Sequence, residues 1–216
     1  MKQCWVFDLD DTLYDEIDFQ VSGMRQVLAS VNDLHNVAKI ESLPIEVLSS
    51  PNALDQIFKV CGVDDSLKTE MLWRYRLHLP DIELRSDAES LLTKIRERGH
   101  SIAILTDGRS ITQRNKLKAL GLSKINAYIS SEWGAPKPDV KRFKAIQQTF
   151  QAEQYIYVAD NPSKDFIAPK LLDWMTIGIR DNGKHIHKQV VKTNIADELF
   201  PHHWVDYIKN LNHFIA

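Results

Sequence analysis

The 216-residue chain sets 27 Lys and Arg against 29 Asp and Glu, a formal charge of −2, with 44% hydrophobic and 26% charged residues. These values suit one ordinary domain, or one domain carrying a sizeable insertion, and supply no general electrostatic attraction for nucleic acid or anionic membrane. Cys4 and Cys61 lack a Cys-x-x-Cys spacing, which argues against a disulfide framework or zinc site and points to a reducing cytoplasm. No apolar run approaches the roughly 20 residues of a membrane span, and the first strand begins within about four residues of Met1, leaving no room for a signal peptide.

In chain order, Cys4-Trp5-Val6-Phe7 predicts a short strand that stops abruptly at Asp8, Asp10 and Asp11. Asp8 and Asp10 are two apart, so in an extended chain they leave the same face. Carboxylates at that spacing repel, and a bound divalent cation is the usual relief. Taken alone, the stretch also reads as a strand followed by a solvated acidic turn.

From Asp15 to Pro80 the period becomes helical, with Ile17, Val21, Met24, Leu28 and Val31 at three- and four-residue steps. Pro44 and Pro51 interrupt it. A second helix through Leu54, Ile57, Phe58 and Val60 has Gly62 as its C-terminal cap, and a third spans Leu67 to Leu79 before Pro80. Residues 15–80 therefore read as a small all-helical unit placed directly after the acidic strand end, where it can act as a lid. Phe19, Met24, Trp73, Tyr75 and His78 are expected in its core rather than against a substrate.

From Ser86 onward helix and strand alternate, the mark of βαβ units and a parallel sheet. Ser86 and Glu89 have capping-box spacing, and Gly99 closes that helix. Strands follow at Ser101–Leu105, Tyr128–Ser130, Tyr155–Ala159 and Met175–Ile179, with helices after Arg109 and around Phe143 and Ile146. Beyond Arg180 the chain reads as loop until a C-terminal helix near Trp204 to Phe214. Lys141-Arg142-Phe143-Lys144 reads as a helix with a solvated basic face, too short for a nucleic-acid footprint. His185, His187, His202, His203 and His213 read as a His-rich surface tail rather than a second metal site.

Ligands bind at the carboxyl ends of parallel strands, and four predicted strands end in chemistry. Asp8 and Asp10 end the first and Thr106 the second; Lys137 follows the third, and Asp160 with Asp165 the fourth. Singly, Thr106 reads as a helix cap, Lys137 as a loop cation and Asp160 as a turn former.

As an ordered set, these residues resemble the haloacid dehalogenase superfamily, in the subgroup with a helical cap between its first and second motifs. The first motif, Asp-x-Asp-x-Thr, stands as Asp8, Asp10 and Thr12; the second as Thr106; the third as Lys137 before Pro138 and Asp139; the fourth as Asp160 and Asp165. Thr106-Asp107-Gly108, Gln113, Lys116 to Leu122, and Ser131-Glu132 extend the likeness, while Ala159 stands where many relatives have Gly. The resemblance implies an α/β fold, a Rossmann-like doubly wound parallel sheet core of residues 1–14 and 81–216 with an inserted all-helical cap of residues 15–80. It also implies a magnesium-dependent phosphatase working through an aspartyl-phosphate, with Asp8 as nucleophile and Asp10 as acid and base. Dehalogenases of the superfamily lack the second Asp.

The implied magnesium ligands are Asp8, Asp160 and the main-chain carbonyl of Asp10, with Asp165 a ligand or a support for the ligands. Thr106, the amides of Asp107 and Gly108, and Lys137 would hold phosphate, and Arg109 reads equally as a phosphate contact or a solvated residue. The implied partner is a small phosphorylated metabolite, a sugar phosphate or nucleoside monophosphate, acted on by a monomer or homodimer. The stretch Asn161–Lys170 is similar to members associated with surface-sugar biosynthesis, and a pyrimidine nucleotidase is a comparable expectation. A phosphomutase, a 2-haloacid dehalogenase and a non-catalytic binding protein are the alternatives.

Overall fold

The structure, a computed structural model, describes residues 1–187, 189 and 199–216. Six parallel strands form one sheet: β1 (Gln3–Phe7), β2 (Ser101–Thr106), β3 (Asn126–Ile129), β4 (Gln154–Ala159), β5 (Met175–Ile179) and β6 (His203–Val205), in the spatial order β3-β2-β1-β4-β5-β6. The chain steps outward from β1 to β3, then returns to lay β4 on the other side of β1. That reversal is the switch point of a Rossmann-like sheet, where a crevice opens beyond the strand ends.

Alternation of side chains along each strand builds two cores. Trp5, Phe7, Ile104, Ile156, Val158 and Ile177 face one layer, which includes Leu91, Leu92 and Ile95 of α5 (Ser86–Glu97) and Leu117 of α6 (Ser110–Ala119). Cys4, Val6, Ala103, Leu105 and Tyr157 face the other, packing on Phe143 and Ile146 of α8 (Lys141–Thr149), Ala168 of α9 (Ile167–Lys170) and Trp174. Burial on both faces explains why these strands read as continuous apolar runs. Each side chain the size of Phe7 contributes about 1.5–3 kcal/mol when fully buried.

Between β1 and β2, residues Glu16 to Leu77 contain helices only: α1 (Glu16–Asn32), α2 (Ile45–Leu48), α3 (Ala53–Cys61), a short 3-10 turn and α4 (Lys68–Leu77), among the described residues. They close over their own apolar cluster of Val21, Met24, Val27, Leu28, Ile57, Phe58 and Met71. Gly62 caps α3 in the left-handed region, as its position implies. α4 stops at Leu77, two residues short of the sequence expectation, because His78 is already extended ahead of Leu79 and Pro80. This helical segment meets the sheet layer through α6: Thr112 donates to the Arg76 carbonyl (3.0 Å), and Asn115 to those of Leu77 (2.9 Å) and His78 (3.1 Å).

Two local expectations are corrected. The capping box at Ser86 does not form: the residue flanking α5 is Arg85, whose side chain goes to Asp15 (2.8 Å) instead. The C-terminal helix begins later and is a 3-10 helix, Ile208–Phe214, because His203, Trp204 and Val205 pair with the otherwise open edge of β5. Part of the expected loop after Arg180, residues 188 and 190–198, lies outside the described residues. α7 (Ser130–Trp133) is a single turn directly after β3.

Candidate active site

Asp8 is the first residue beyond β1, its amide bonded to the Val158 carbonyl (2.9 Å), so β4 sets where its carboxylate emerges. The chain then turns sharply. Asp11 takes a left-handed conformation (φ 53°), one that Asp tolerates better than most residues, and Tyr14 returns to bridge Asp10. Asp11 holds the turn: its carboxylate accepts from the amides of Glu16 (2.8 Å) and Ile186 (2.9 Å). Asp8 and Asp10, which periodicity places on one face, both line one polar cavity.

Asp8 lies in the charged layer. Lys137, whose side chain is fully buried, touches Asp8 (2.7 Å) and Asp165 (2.6 Å) and donates to the Tyr157 hydroxyl (3.2 Å). Asp165 is buried and satisfied on both oxygens, by Lys137 and Tyr157 on one and by the Asn161 amide (2.9 Å) on the other. Asp160 differs: among the described residues no donor bonds its carboxylate, and His185 Nδ1 stands 3.8 Å from it. Oxygens of Asp8, Asp160 and Asp165 lie within 4.8 Å of one another.

The electrostatics follow from that crowding. Burial, with Asp165 and Asp8 beside it, pushes the Asp160 carboxyl up to about 9. Burial also raises Asp8, against the pull of Lys137. One ammonium shared by Asp8 and Asp165 leaves Asp160 without a direct counter-charge. The all-oxygen donor set of Asp8 and Asp160, buried and short of positive charge, fits a hard divalent cation. Asp165, already committed to Lys137, Tyr157 and Asn161, is placed to support that pair.

Asp10 occupies a separate environment. Lys116 of α6 contacts its Oδ1 at 2.6 Å, Tyr14 donates to the same oxygen, and Gln113 Nε2 donates to Oδ2 (2.9 Å). Burial opposes ionisation of Asp10, but Lys116, Tyr14 and Gln113 outweigh it and hold the carboxyl below its ordinary range. The side chain of Asp10 thus has partners of its own, distinct from those of Asp8 and Asp165, while it shares a cavity wall with Asp8 and Asp160.

A polar cavity of about 160 Å³ opens over these groups, lined by Asp8, Asp10, Thr106, Asp107 and Asp160 together with Glu16, Asn161, Lys164 and His187. Thr106 ends β2, and its hydroxyl accepts from Gln113 Nε2 (2.8 Å). Gly108 has φ 146° and sits under the Gln113 side chain, 3.1 Å from where a Cβ would stand, so only glycine fits comfortably. Its amide donates to Ser130 Oγ (3.0 Å), and it does not line the cavity. Of the expected phosphate-binding set, Thr106 and Asp107 line the cavity; Lys137 lies beneath, bonded to Asp8, and Gly108 stands aside.

Several residues here read differently in the sequence. Arg142, expected on a solvated basic face, is fully buried and donates to the carbonyls of Thr106 (2.8 Å) and Tyr128 (3.0 Å) and to Asp107 (2.5 Å), tying together the ends of β2 and β3. Of the histidines expected on the surface, His185 departs, its side chain buried beside Asp160, while His187 is exposed and lines the cavity. Their acidic neighbours arrive from distant strand ends, which spacing in the tail could not signal. Within the helical segment Phe19, Met24 and His78 are buried and Tyr75 half-buried, but Trp73 is exposed, with Arg76 over its ring. None of the five lines the cavity.

A Rossmann-like sheet with acidic residues gathered at its β1/β4 switch point defines an α/β enzyme class whose site is built for a cation and an anionic ligand. The sequence profile of the haloacid dehalogenase-like hydrolases matches residues 5–179, and the chain belongs to that family. The glyceraldehyde 3-phosphate phosphatase of Methanocaldococcus jannaschii is 26% identical over 196 residues, covering 81% of this chain and 83% of the relative. The phosphoserine phosphatase of Thermus thermophilus is 34% identical over 119 residues, 51% of this chain and 47% of its own. A phosphatase of the same superfamily from Thermococcus onnurineus superimposes over all of this chain and 98% of its own with a TM-score of 0.61 at 22% identity, a likeness of fold. Among the described residues no helix is long and apolar enough to cross a membrane.

Proposed function

We propose that the protein is a magnesium-dependent phosphatase that hydrolyses a small phosphomonoester through an aspartyl-phosphate on Asp8. The observation that carries this reading is the division of labour at the end of β1. Asp8 sits among Lys137, Asp160 and Asp165, while Asp10, two residues on, is held by a different set of donors. A nucleophile and an acid/base need that separation.

Asp8 attacks phosphorus, forming one bond as the bond to the leaving oxygen breaks, and Asp10 supplies the proton which that oxygen takes up. Asp10 then removes a proton from the water that opens the acyl phosphate. Lys137 holds Asp8 in place and offsets its charge, while Thr106 and the Asp107 main chain receive phosphoryl oxygens. Asp8, Asp160 and the Asp10 carbonyl would hold Mg²⁺, which when bound supplies positive charge between the carboxylates and the phosphoryl group. Uncatalysed hydrolysis of phosphate monoesters is among the slowest of reactions, with accelerations of up to about 10²¹-fold, so charge stabilisation must supply much of the effect.

The helical segment, residues 15–80, serves as the cap that confines the leaving group, and Glu16 at its start is its contribution to the cavity wall. A cavity of about 160 Å³ favours a compact leaving group, a small sugar or polyol phosphate before a nucleoside monophosphate. The named relatives, phosphatases of three-carbon phosphate esters, support the same choice. Buried, unpaired Cys4 and Cys61 suit a reducing cytoplasm. The test is phosphate release across a panel of phosphometabolites with and without Mg²⁺, using wild type and Asp8→Asn. Magnesium-dependent release lost in the variant is expected. Isomer formation without phosphate release would instead indicate a phosphomutase, and release of halide from a 2-haloacid after chelation a dehalogenase.

A further inference from the structure

The cavity is crowded with acid. Asp8, Asp10, Glu16, Asp107 and Asp160 all line it, and a phosphomonoester would bring further negative charge. An ammonium has three donors, and those of Lys137 are spent on Asp8, Asp165 and the Tyr157 hydroxyl. Lys116 is paired with Asp10, and Arg142 with Asp107 and the strand-end carbonyls. Lys164 differs from all three. It is half-buried and lines the same cavity, and among the described residues its ammonium has no hydrogen bond or ion pair.

The turn that carries Lys164 is fixed by Asn161, which follows Asp160 at the end of β4. The Asn161 side-chain oxygen accepts from the Ser163 amide (3.0 Å) and hydroxyl (2.6 Å), and its carbonyl accepts from the amides of Lys164 (3.3 Å) and Asp165 (3.1 Å). Asp165, next in the chain, is locked to Lys137 inside the protein. Lys164 therefore meets the cavity from the strand end that also supplies Asp160. Burial raises the Asp8 carboxyl, and the charge of Lys164, like that of Lys137, pulls against it. Asp10 answers to a different cation, Lys116. The phosphoryl group must sit on Asp8, so the charge of Lys164 lies on its side of the site.

We infer that Lys164, rather than Lys137, supplies the ammonium that grips the phosphoryl group of the substrate. The role expected of Lys137 toward phosphate passes to a side chain with donors to spare, and a compact point charge suits a phosphate dianion. The choice of phosphate as the ligand rests on the phosphatase reading. Every substrate carries the phosphoryl group, so the contribution of Lys164 is the same whatever the leaving group.

The probe is inorganic phosphate, its affinity read by titration calorimetry at saturating Mg²⁺ in wild type, Lys164→Met and Lys164→Arg. Lys164→Met should weaken phosphate about 30-fold, and Lys164→Arg should restore most of the loss. In Lys164→Met, kcat/KM should fall by like factors for glycerol phosphate, with a neutral leaving group, and phosphoglycolate, with an anionic one. Phosphate affinity in Lys164→Met within about threefold of the wild type would overturn the inference and leave the phosphatase reading standing. A loss confined to phosphoglycolate would overturn it too, since Lys164 would then read the leaving group. Phosphate binding that needs Lys164, in a wild type that hydrolyses no ester, would uphold the inference and sink the phosphatase reading. Should Lys164→Met fail to fold, judged by its melting temperature without phosphate, Lys164→Gln replaces it and is read in the same way.

Discussion

Arg142 shows how a single buried charge positions the site from outside it. Its guanidinium joins two strand-end carbonyls to Asp107 with the whole side chain out of water. Replacing it with Met leaves those acceptors without their donor, and Asp107 without its cation, so Arg142→Met should cost about 3–5 kcal/mol in urea unfolding. A loss below about 1 kcal/mol would mean that Asp107 and the carbonyls find other partners. Asp8, Asp10, Thr106, Lys137 and Asp160 were legible in the sequence because each ends or follows an apolar strand, where a polar group has few structural reasons to stand. Arg142 was not, because in a run of Lys, Arg and Lys nothing marks the one side chain that turns inward. Gln113 and Lys116 carried a weak signal: they are three apart on a helix whose same stretch buries Leu117.

At the scale of elements, α6 links Asp10 to the helical segment. One part of its surface holds Asp10 through Gln113 and Lys116; another holds the C-terminal end of α4 through Thr112 and Asn115. The helical segment itself depends on a close approach. A Cβ on Gly23 of α1 would meet the Tyr75 ring of α4 at 2.4 Å, and that ring is packed against Phe19 and His78. Helix propensity alone favours Gly23→Ala by about 1 kcal/mol. Overpacking costs about 1–3 kcal/mol, so the expected result is a net loss of stability and a displaced Tyr75 ring, seen in thermal unfolding and near-ultraviolet circular dichroism. A stabilised variant with an unchanged aromatic signal would show that α1 and α4 have room to separate. The helices of this segment and their order were readable from periodicity. The close contact was not, since a glycine inside a helix says nothing of what lies across from it.

For the molecule as a whole, the buried carboxylates tie stability to pH and, on the phosphatase reading, to metal binding. Burial and neighbouring acids push Asp160 to about 9, and burial with Asp10 nearby pushes Glu16 to about 8. Both are raised above their unfolded values of roughly 4, so folding takes up protons between about pH 4 and 9 and stability falls as pH rises through that window. In chelator the melting temperature should therefore drop from pH 6 to pH 8. Added Mg²⁺ should raise it more at pH 8, where the carboxylates must be charged, than at pH 6. Asp160→Asn removes that charge, so the variant should melt above the wild type in chelator at pH 8 and lose most of the magnesium response. A melting temperature that rises with pH in chelator would contradict the crowding at Asp160. The parallel sheet was legible from β1 to β5 because buried strands announce themselves as apolar runs, except that β3, expected at Tyr128–Ser130, runs Asn126–Ile129, its polar start giving no apolar signal and Ser130 already in α7. β6 was not: three residues with an exposed His at their start make too short a pattern, and only the open edge of β5 makes them a strand.

The central claim, that Asp8 becomes phosphorylated, is tested most directly by acid-quenching the enzyme during turnover of a phosphomonoester and mapping the phosphoryl adduct by peptide mass spectrometry. The adduct is expected on Asp8, dependent on Mg²⁺ and absent from Asp8→Asn. Full turnover in Asp8→Asn, or an adduct on a different residue in the wild type, would contradict it.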